Sequence, residues 1–153
     1  MTFTEFKDEL YLVRENRRSI NSLIESIDNL TAKLLDRLTG GVTDYSKDRL
    51  QKTPDPDAKV IETIATIEEE RTEYLEKLNR LREANSKYEA IIMSFDTLGG
   101  EILRLYFIEG LSIKAIGQRI GYSEQYTWEL WRKATKDLYE KEKAKYEMAE
   151  ATR

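Results

Sequence analysis

Two segments of the chain carry apolar residues at seven-residue spacing, and this pattern limits the possible fold more than any other feature of the sequence. In the first segment the seam residues are Val13, Ile20, Leu23, Ile27, Leu30 and Leu34. In the second segment they are Val60, Ile64, Ile67, Tyr74, Leu78, Leu81, Tyr88, Ile92 and Phe95. Such a repeat draws one apolar stripe along a helix, as in a coiled coil. The sequence therefore predicts two long helices that pair along these stripes as an antiparallel coiled-coil hairpin.

Local signals mark where the two helices begin. Thr2 and Glu5 have the spacing of a capping box, in which each side chain binds the backbone N–H of the other residue. Asp55 suits an N-cap, and Pro56 suits the first helical position, where its missing N–H costs nothing. The predicted ranges are a first domain 1–98, containing helices at about 3–38 and 56–95 and a mobile connector 39–55.

Polar residues inside the seams favour one antiparallel register. If the numbers of facing residues sum to 101, Asn16 faces Asn85 and the apolar seam residues face one another. Shifting the register by one heptad in either direction sets polar groups against apolar residues or stacks arginines. The favoured register leaves two arginines opposite apolar residues, Arg71 with Leu30 and Arg37 with Ile64, and we expect their side chains to reach the edge of the pair. Pairing within one chain and pairing between two chains both fit this register.

The last third of the chain, residues 99–153, predicts three short-linked helices with the features of a helix-turn-helix. Ser112 and Ser123 stand where N-caps are needed. Gly117 is small enough for two helices to touch, and Gly121 tolerates the positive φ of a tight turn. The residues expected to point inward are Ile116, Ile120, Tyr122, Thr127 and Leu130. A helical hairpin with no nucleic acid remains an alternative interpretation of the same spacing.

The stretch "GEILRLYFIEGLSIKAIGQRIGYSEQYTWELWRKATKDL" resembles region four of bacterial sigma factors. The same or similar residues stand at Leu111, Ile116, Gly117, Gln118, Arg119, Gly121, Ser123, Leu130, Lys133, Ala134 and Leu138. The whole arrangement looks like the ArpU-type transcriptional regulators of phages and prophages in Gram-positive bacteria. The resemblance implies a protein that activates late phage operons by binding DNA near a promoter and engaging host RNA polymerase.

The outer face of the third helix supplies the candidate DNA contacts. Placing Thr127, Leu130, Ala134 and Leu138 inward leaves polar and aromatic side chains outside. The predicted DNA-binding residues are Ser123, Gln125, Tyr126, Trp128, Glu129, Arg132, Lys133 and Lys136. Gln125 suits adenine and Glu129 suits the amino group of cytosine, while the three cations suit phosphates. Sigma factors carry arginines at the start of this helix, so the sigma target itself is not implied.

Composition argues against several classes of function. The chain has no histidine and no cysteine, which removes the commonest general base and the commonest transition-metal ligands. We therefore expect no catalytic activity, cofactor or metal. No stretch is apolar enough to cross a membrane, and the absence of cysteine fits a reducing compartment. The expected protein is cytoplasmic, without a membrane partner.

Charge is unevenly distributed along the chain. Residues 1–98 carry 15 Lys and Arg against 20 Asp and Glu, a net −5, whereas residues 99–153 carry 10 against 9, a net +1, which together give −4. A strong independent DNA binder is usually more basic than this. The predicted function is a DNA-binding transcriptional regulator that forms a homodimer through its long helices. The alternatives are the small terminase subunit of a phage, and a helical interaction protein that does not bind DNA.

Overall fold

The chain is helical in the part that the computed structural model describes, residues 1–39 and 56–152. Five helices occur there: α1 Phe3–Thr39, α2 Pro56–Met93, α3 Leu98–Leu103, α4 Ile113–Ile120 and α5 Glu124–Ala151. These residues contain no strand, so the all-α prediction is confirmed for them. None of their helices combines the length and the hydropathy that crossing a bilayer requires.

The two long helices begin and end close to the predicted positions. At the start of α1 the Thr2 N–H donates to Glu5 Oε2 at 2.8 Å, and the Glu5 N–H donates to Thr2 Oγ1 at 3.2 Å. The capping box is therefore confirmed. Helix α2 ends at Met93, two residues before the predicted limit. Thr39 is the last residue of α1, and the rest of the predicted connector, 40–55, lies outside the described residues.

Helix α3 continues directly into a wide π-helical turn, Arg104–Ile108. The side chain of Thr97 caps α3 by accepting a hydrogen bond from the Gly100 N–H at 3.1 Å. A Cβ at Gly100 would overlap the carbonyl oxygen of Phe95, so only glycine fits the close approach between the end of α2 and α3. The sequence predicts a short helix here but not its widening.

By its contacts the chain divides into two compact units, residues 1–19 with 82–153 and residues 20–81. This division passes through both long helices, whereas the sequence predicts a boundary at Gly99. The first unit is built on one core to which every helix contributes: Phe6, Leu10, Val13, Tyr88, Ile92, Ile102, Leu103, Leu105, Tyr106, Phe107, Ile113, Ile116, Trp131, Ala134 and Leu138. The N-terminal part of α1 and the C-terminal part of α2 thus share a core with α3, α4 and α5.

The asparagine layer predicted from the seams lies in the first unit. Asn16 Nδ2 donates to Asn85 Oδ1 at 2.9 Å, and Asn85 Nδ2 donates to the carbonyl oxygen of Val13 at 3.2 Å. The predicted contact between Asn16 and Asn85 is confirmed. Asn85 is only 1% exposed, so these bonds supply the partners that a buried amide needs.

The second unit has its own smaller apolar cluster. Ile20, Ile27 and Leu78 are buried, and the half-buried residues packed against them are Leu23, Ile24, Tyr74, Leu75 and Leu81. The Nε of Arg71 donates to the hydroxyl of Thr31 at 2.9 Å. The arginine predicted to lie opposite Leu30 therefore binds a hydroxyl on the next residue.

Candidate nucleic-acid interface

Helices α4 and α5 are joined by a tight turn with a cap at each end. Ser112 caps α4 by accepting from the Ala115 N–H at 3.2 Å. The helix ends at Gly121, whose φ is +83°, a left-handed conformation that favours glycine. Ser123 then caps α5 by accepting from the Tyr126 N–H at 3.2 Å. The roles predicted for both serines and for Gly121 are confirmed.

Gly117 is the point of closest approach between α4 and α5. A Cβ at this position would lie 2.8 Å from Thr127 Oγ1 and 2.8 Å from the carbonyl oxygen of Tyr122, distances too short for a side chain. Thr127 is fully buried, and its hydroxyl donates to the carbonyl oxygen of Ser123 at 2.7 Å. A small residue is therefore required at Gly117, as the sequence predicts.

The prediction that Tyr122 points inward is wrong. Its side chain is 41% exposed, whereas Ile116 is fully buried and Ile120 and Leu130 are half-buried. Tyr122 directly precedes the N-cap of α5, and a side chain at that position packs along the first turn of the following helix rather than beneath it. Its ring meets the ring of Tyr126 edge-on, with centroids 5.1 Å apart.

The predicted DNA-binding residues lie mainly on the exposed face of α5. Those with exposed side chains are Ser123, Gln125, Tyr126, Glu129, Arg132, Lys133 and Lys136, and Trp128 is half-buried. Four of the eight, together with Glu124, line a surface depression of about 450 Å³: Gln125, Trp128, Glu129 and Arg132. Tyr126, Lys133 and Lys136 do not line it. The hydroxyl oxygen of Ser123 is engaged as the helix cap.

The two tryptophans of α5 pack into the protein, as base rates for this residue type predict. Trp131 is 4% exposed, and its indole N–H has no hydrogen-bond acceptor among the described residues. Trp128 packs edge-on against the rings of Trp131 and Tyr106, at 5.4 Å and 6.4 Å between centroids. The guanidinium of Arg132 lies 6.0 Å from the Trp128 ring. Trp128 therefore packs between the aromatic core and the side chain of Arg132.

Two arginines of α1 bind the carbonyl end of the π-helical turn. Arg14 Nε donates to the carbonyl oxygen of Tyr106 at 3.1 Å, and its guanidinium lies 4.1 Å from the Tyr106 ring centroid. Arg17 Nε donates to the carbonyl oxygen of Ile108 at 3.3 Å and pairs with Glu89 at 3.6 Å. The last carbonyls of a helix lack partners within it and favour cationic donors. These contacts fix the segment that leads into α4.

The charges on this surface fall into two groups. Glu124 and Glu129 flank the first turns of α5, whereas Arg132, Lys133 and Lys136 follow one turn later. None of these three cations belongs to an ion pair within 4.0 Å in the described part of the chain. Their charge is therefore available to a polyanion, while the two carboxylates oppose phosphate close to the helix start.

Comparisons with known proteins identify no similar protein. The sequence matches no protein-family model, and neither a curated protein nor a solved structure is significantly similar to it. The resemblance to sigma region four and to ArpU-type regulators therefore stays a prediction.

Proposed function

We propose that the protein is a DNA-binding transcriptional regulator acting in the cytoplasm, in which α4 and α5 form a helix-turn-helix and α5 enters a major groove. The observation that carries this proposal is the close contact of α4 with α5 at Gly117, beside an exposed α5 face with three cations outside ion pairs. Helix-turn-helix proteins place the second helix against base edges while cations hold the backbone.

The residues of α5 divide by chemistry into two roles. Gln125 has an exposed amide that suits the paired donor and acceptor of adenine, and the carboxylate of Glu129 accepts from the amino group of cytosine. Arg132, Lys133 and Lys136 hold phosphates, which positions the helix without reading sequence. Such a division predicts specific binding with weak non-specific binding, because the acidic side chains repel the DNA backbone.

The proposal extends to the long helices, which we assign to an antiparallel coiled-coil hairpin that joins two copies of the chain. In the second unit several apolar side chains are open to solvent: Leu35 is 55% exposed, Leu38 62%, Val60 40% and Ile61 67%. A contact between copies would cover them. By the resemblance given above, the biological role is late-gene activation in a phage or prophage, with host RNA polymerase as the second partner.

The first test is salt-dependent binding to duplex DNA selected from a random pool. Replacing Arg132 and Lys136 by alanine should weaken binding to every duplex and reduce the slope of log K against log salt by about two. Replacing Lys77 and Arg80, both exposed on α2, by alanine removes one lysine and one arginine as well and serves as the control. Gln125→Ala should instead reduce the preference among sequences. Unchanged affinity of the Arg132 and Lys136 variant across the titration would show that α5 does not lie in the groove.

The two alternative functions give different results. A helical interaction protein would show no salt-dependent binding to any duplex, which the exposed carboxylates at the start of α5 would explain. A small terminase subunit would bind DNA but assemble as a closed ring of many copies, and light scattering measures that mass directly. A dimer that binds DNA favours the regulator.

A further inference from the structure

Two tyrosines form an exposed aromatic pair at the start of α5. Tyr122 and Tyr126 are 41% and 46% exposed, and the angle between their ring planes is 86°. The backbone on both sides of the pair is held, because the Tyr122 N–H donates to the Gly117 carbonyl at 2.8 Å and the Tyr126 N–H to the Ser123 hydroxyl at 3.2 Å. Exposed, ordered aromatic rings of this kind are enriched where proteins contact partners.

The surroundings of the pair disfavour the sugar-phosphate backbone as its partner. Glu124 lies between the two tyrosines in sequence, and Glu129 follows less than one turn after Tyr126; both carboxylates are exposed. Phosphates are repelled by such a surface and attracted to the cations that begin at Arg132. The first turn of a recognition helix is also the part that meets base edges.

On this basis we propose that the Tyr122 and Tyr126 rings read the 5-methyl group of thymine in the major groove. This inference rests on the proposed function and names what that surface recognises. The thymine methyl is the one apolar group that natural base pairs present in the major groove, and apolar side chains are what distinguish it. Burying one methyl against the rings should strengthen binding by about fourfold.

Deoxyuridine provides the probe, because it pairs like thymidine and lacks only the methyl. In the highest-affinity duplex from the random pool, each thymidine is replaced in turn, and binding is measured by fluorescence anisotropy. The intact protein should lose about fourfold affinity at one or two positions. A variant with Tyr122→Ala and Tyr126→Ala should bind the thymidine and deoxyuridine duplexes equally at those positions.

Two further variants separate ring contact from other effects. Replacing both tyrosines by phenylalanine keeps the rings and should keep the full discrimination between thymidine and deoxyuridine. This variant still tests the ring contact if the alanine variant fails to fold. Tyr146→Ala alters another exposed tyrosine of α5, 70% exposed, and should leave the discrimination unchanged.

The outcomes distinguish this inference from the function on which it rests. If duplexes bind but no deoxyuridine position changes affinity, the tyrosine assignment is overturned while the regulator stands. Discrimination that survives in the alanine variant also overturns it, since another side chain then reads the methyl. If no duplex binds at any salt concentration, both proposals fall together.

Discussion

At the scale of single residues, Arg14 and Arg17 link α1 to the segment that precedes the candidate DNA-binding helices. Each guanidinium satisfies a carbonyl at the end of the π-helical turn, and Arg14 also covers the ring of Tyr106. A guanidinium does this better than an ammonium, because its planar fork both donates to carbonyls and stacks on an aromatic face. We therefore expect α1 to determine how firmly that segment is held.

Replacing Arg14 by alanine should lower the free energy of unfolding by about 1–3 kcal/mol, because the carbonyl of Tyr106 loses its donor and the ring loses its cover. Arg14→Lys should recover only part of this, since an ammonium does not stack or fork in the same way. Arg18 lies four residues on, is exposed, and provides the control substitution to alanine. Urea unfolding measures all three variants, and equal losses for Arg14→Ala and Arg18→Ala would contradict the role given to Arg14.

The residues of the candidate site differ in how far the sequence could predict them. The roles predicted for three residues are confirmed: Gly117, Gly121 and Ser123. They could be predicted because helix contact, turn and cap chemistry depend on the residue type at a single position. The contacts of Arg14 join residues 92 positions apart and leave no periodic signal in the sequence. The inward prediction for Tyr122 is wrong because a position before an N-cap belongs to neither helix, so the inward and outward pattern of the helices does not apply to it.

At the scale of elements, the heptads predicted α1 and α2 to within two residues at each end, because a seam repeated over several turns outweighs local exceptions. The π-helical turn was not predicted. Its residues Leu105, Tyr106 and Phe107 are consecutive and all buried, so the stretch has no polar side from which a helical period can be recognised. The burial of all three residues depends on contacts with other helices, which the sequence of this stretch alone does not show.

The asparagine layer between α1 and α2 gives a prediction at this scale. Asn85→Leu should lower the free energy of unfolding by about 1–3 kcal/mol, because Asn16 then loses the partner of its amide. Adding Asn16→Leu should recover much of the loss, since two leucines pack together without unpaired polar groups. Asn79→Leu, at an exposed position of α2, is the control. Losses that simply add in the double variant, measured by urea unfolding, would mean that the two asparagines do not act as a pair.

At the scale of the whole molecule, the distribution of charge limits how the proposed binding to DNA could occur. The net charge of −4 comes from residues 1–98, which carry 15 basic against 20 acidic residues, and not from residues 99–153, which carry 10 against 9. An acidic polypeptide gains little from non-specific attraction to DNA, so affinity has to come from a few well-placed groups. If the chain has the proposed function, a second copy would add a second set of those groups, and we therefore expect assembly to strengthen DNA binding.

The pairing of α1 with α2 determines whether a dimer would consist of two separate hairpins or of two chains that exchange their long helices. The same asparagine contact would form within one chain or, if the long helices were exchanged, between two chains. Because the protein has no cysteine, a variant with Asn16→Cys and Asn85→Cys reports the arrangement through one engineered disulfide. We expect oxidation to give a covalent monomer, because a single chain that folds back on itself already brings the Asn16 and Asn85 side chains to 2.9 Å from each other.

Non-reducing electrophoresis separates the possible results of this cross-linking. A covalent monomer that still has dimeric mass in light scattering means that each chain folds back on itself and that two such hairpins associate. A covalent dimer contradicts that arrangement and indicates exchanged helices. The control combines Asn16→Cys with Ile92→Cys, which lies one heptad further along α2. Because Asn16 contacts Asn85, a cysteine at position 92 is too far from position 16 to form a disulfide. If this control links as fast as the asparagine pair, the helices slide past each other, because a register held by the asparagine layer allows only one of the two bonds to form readily.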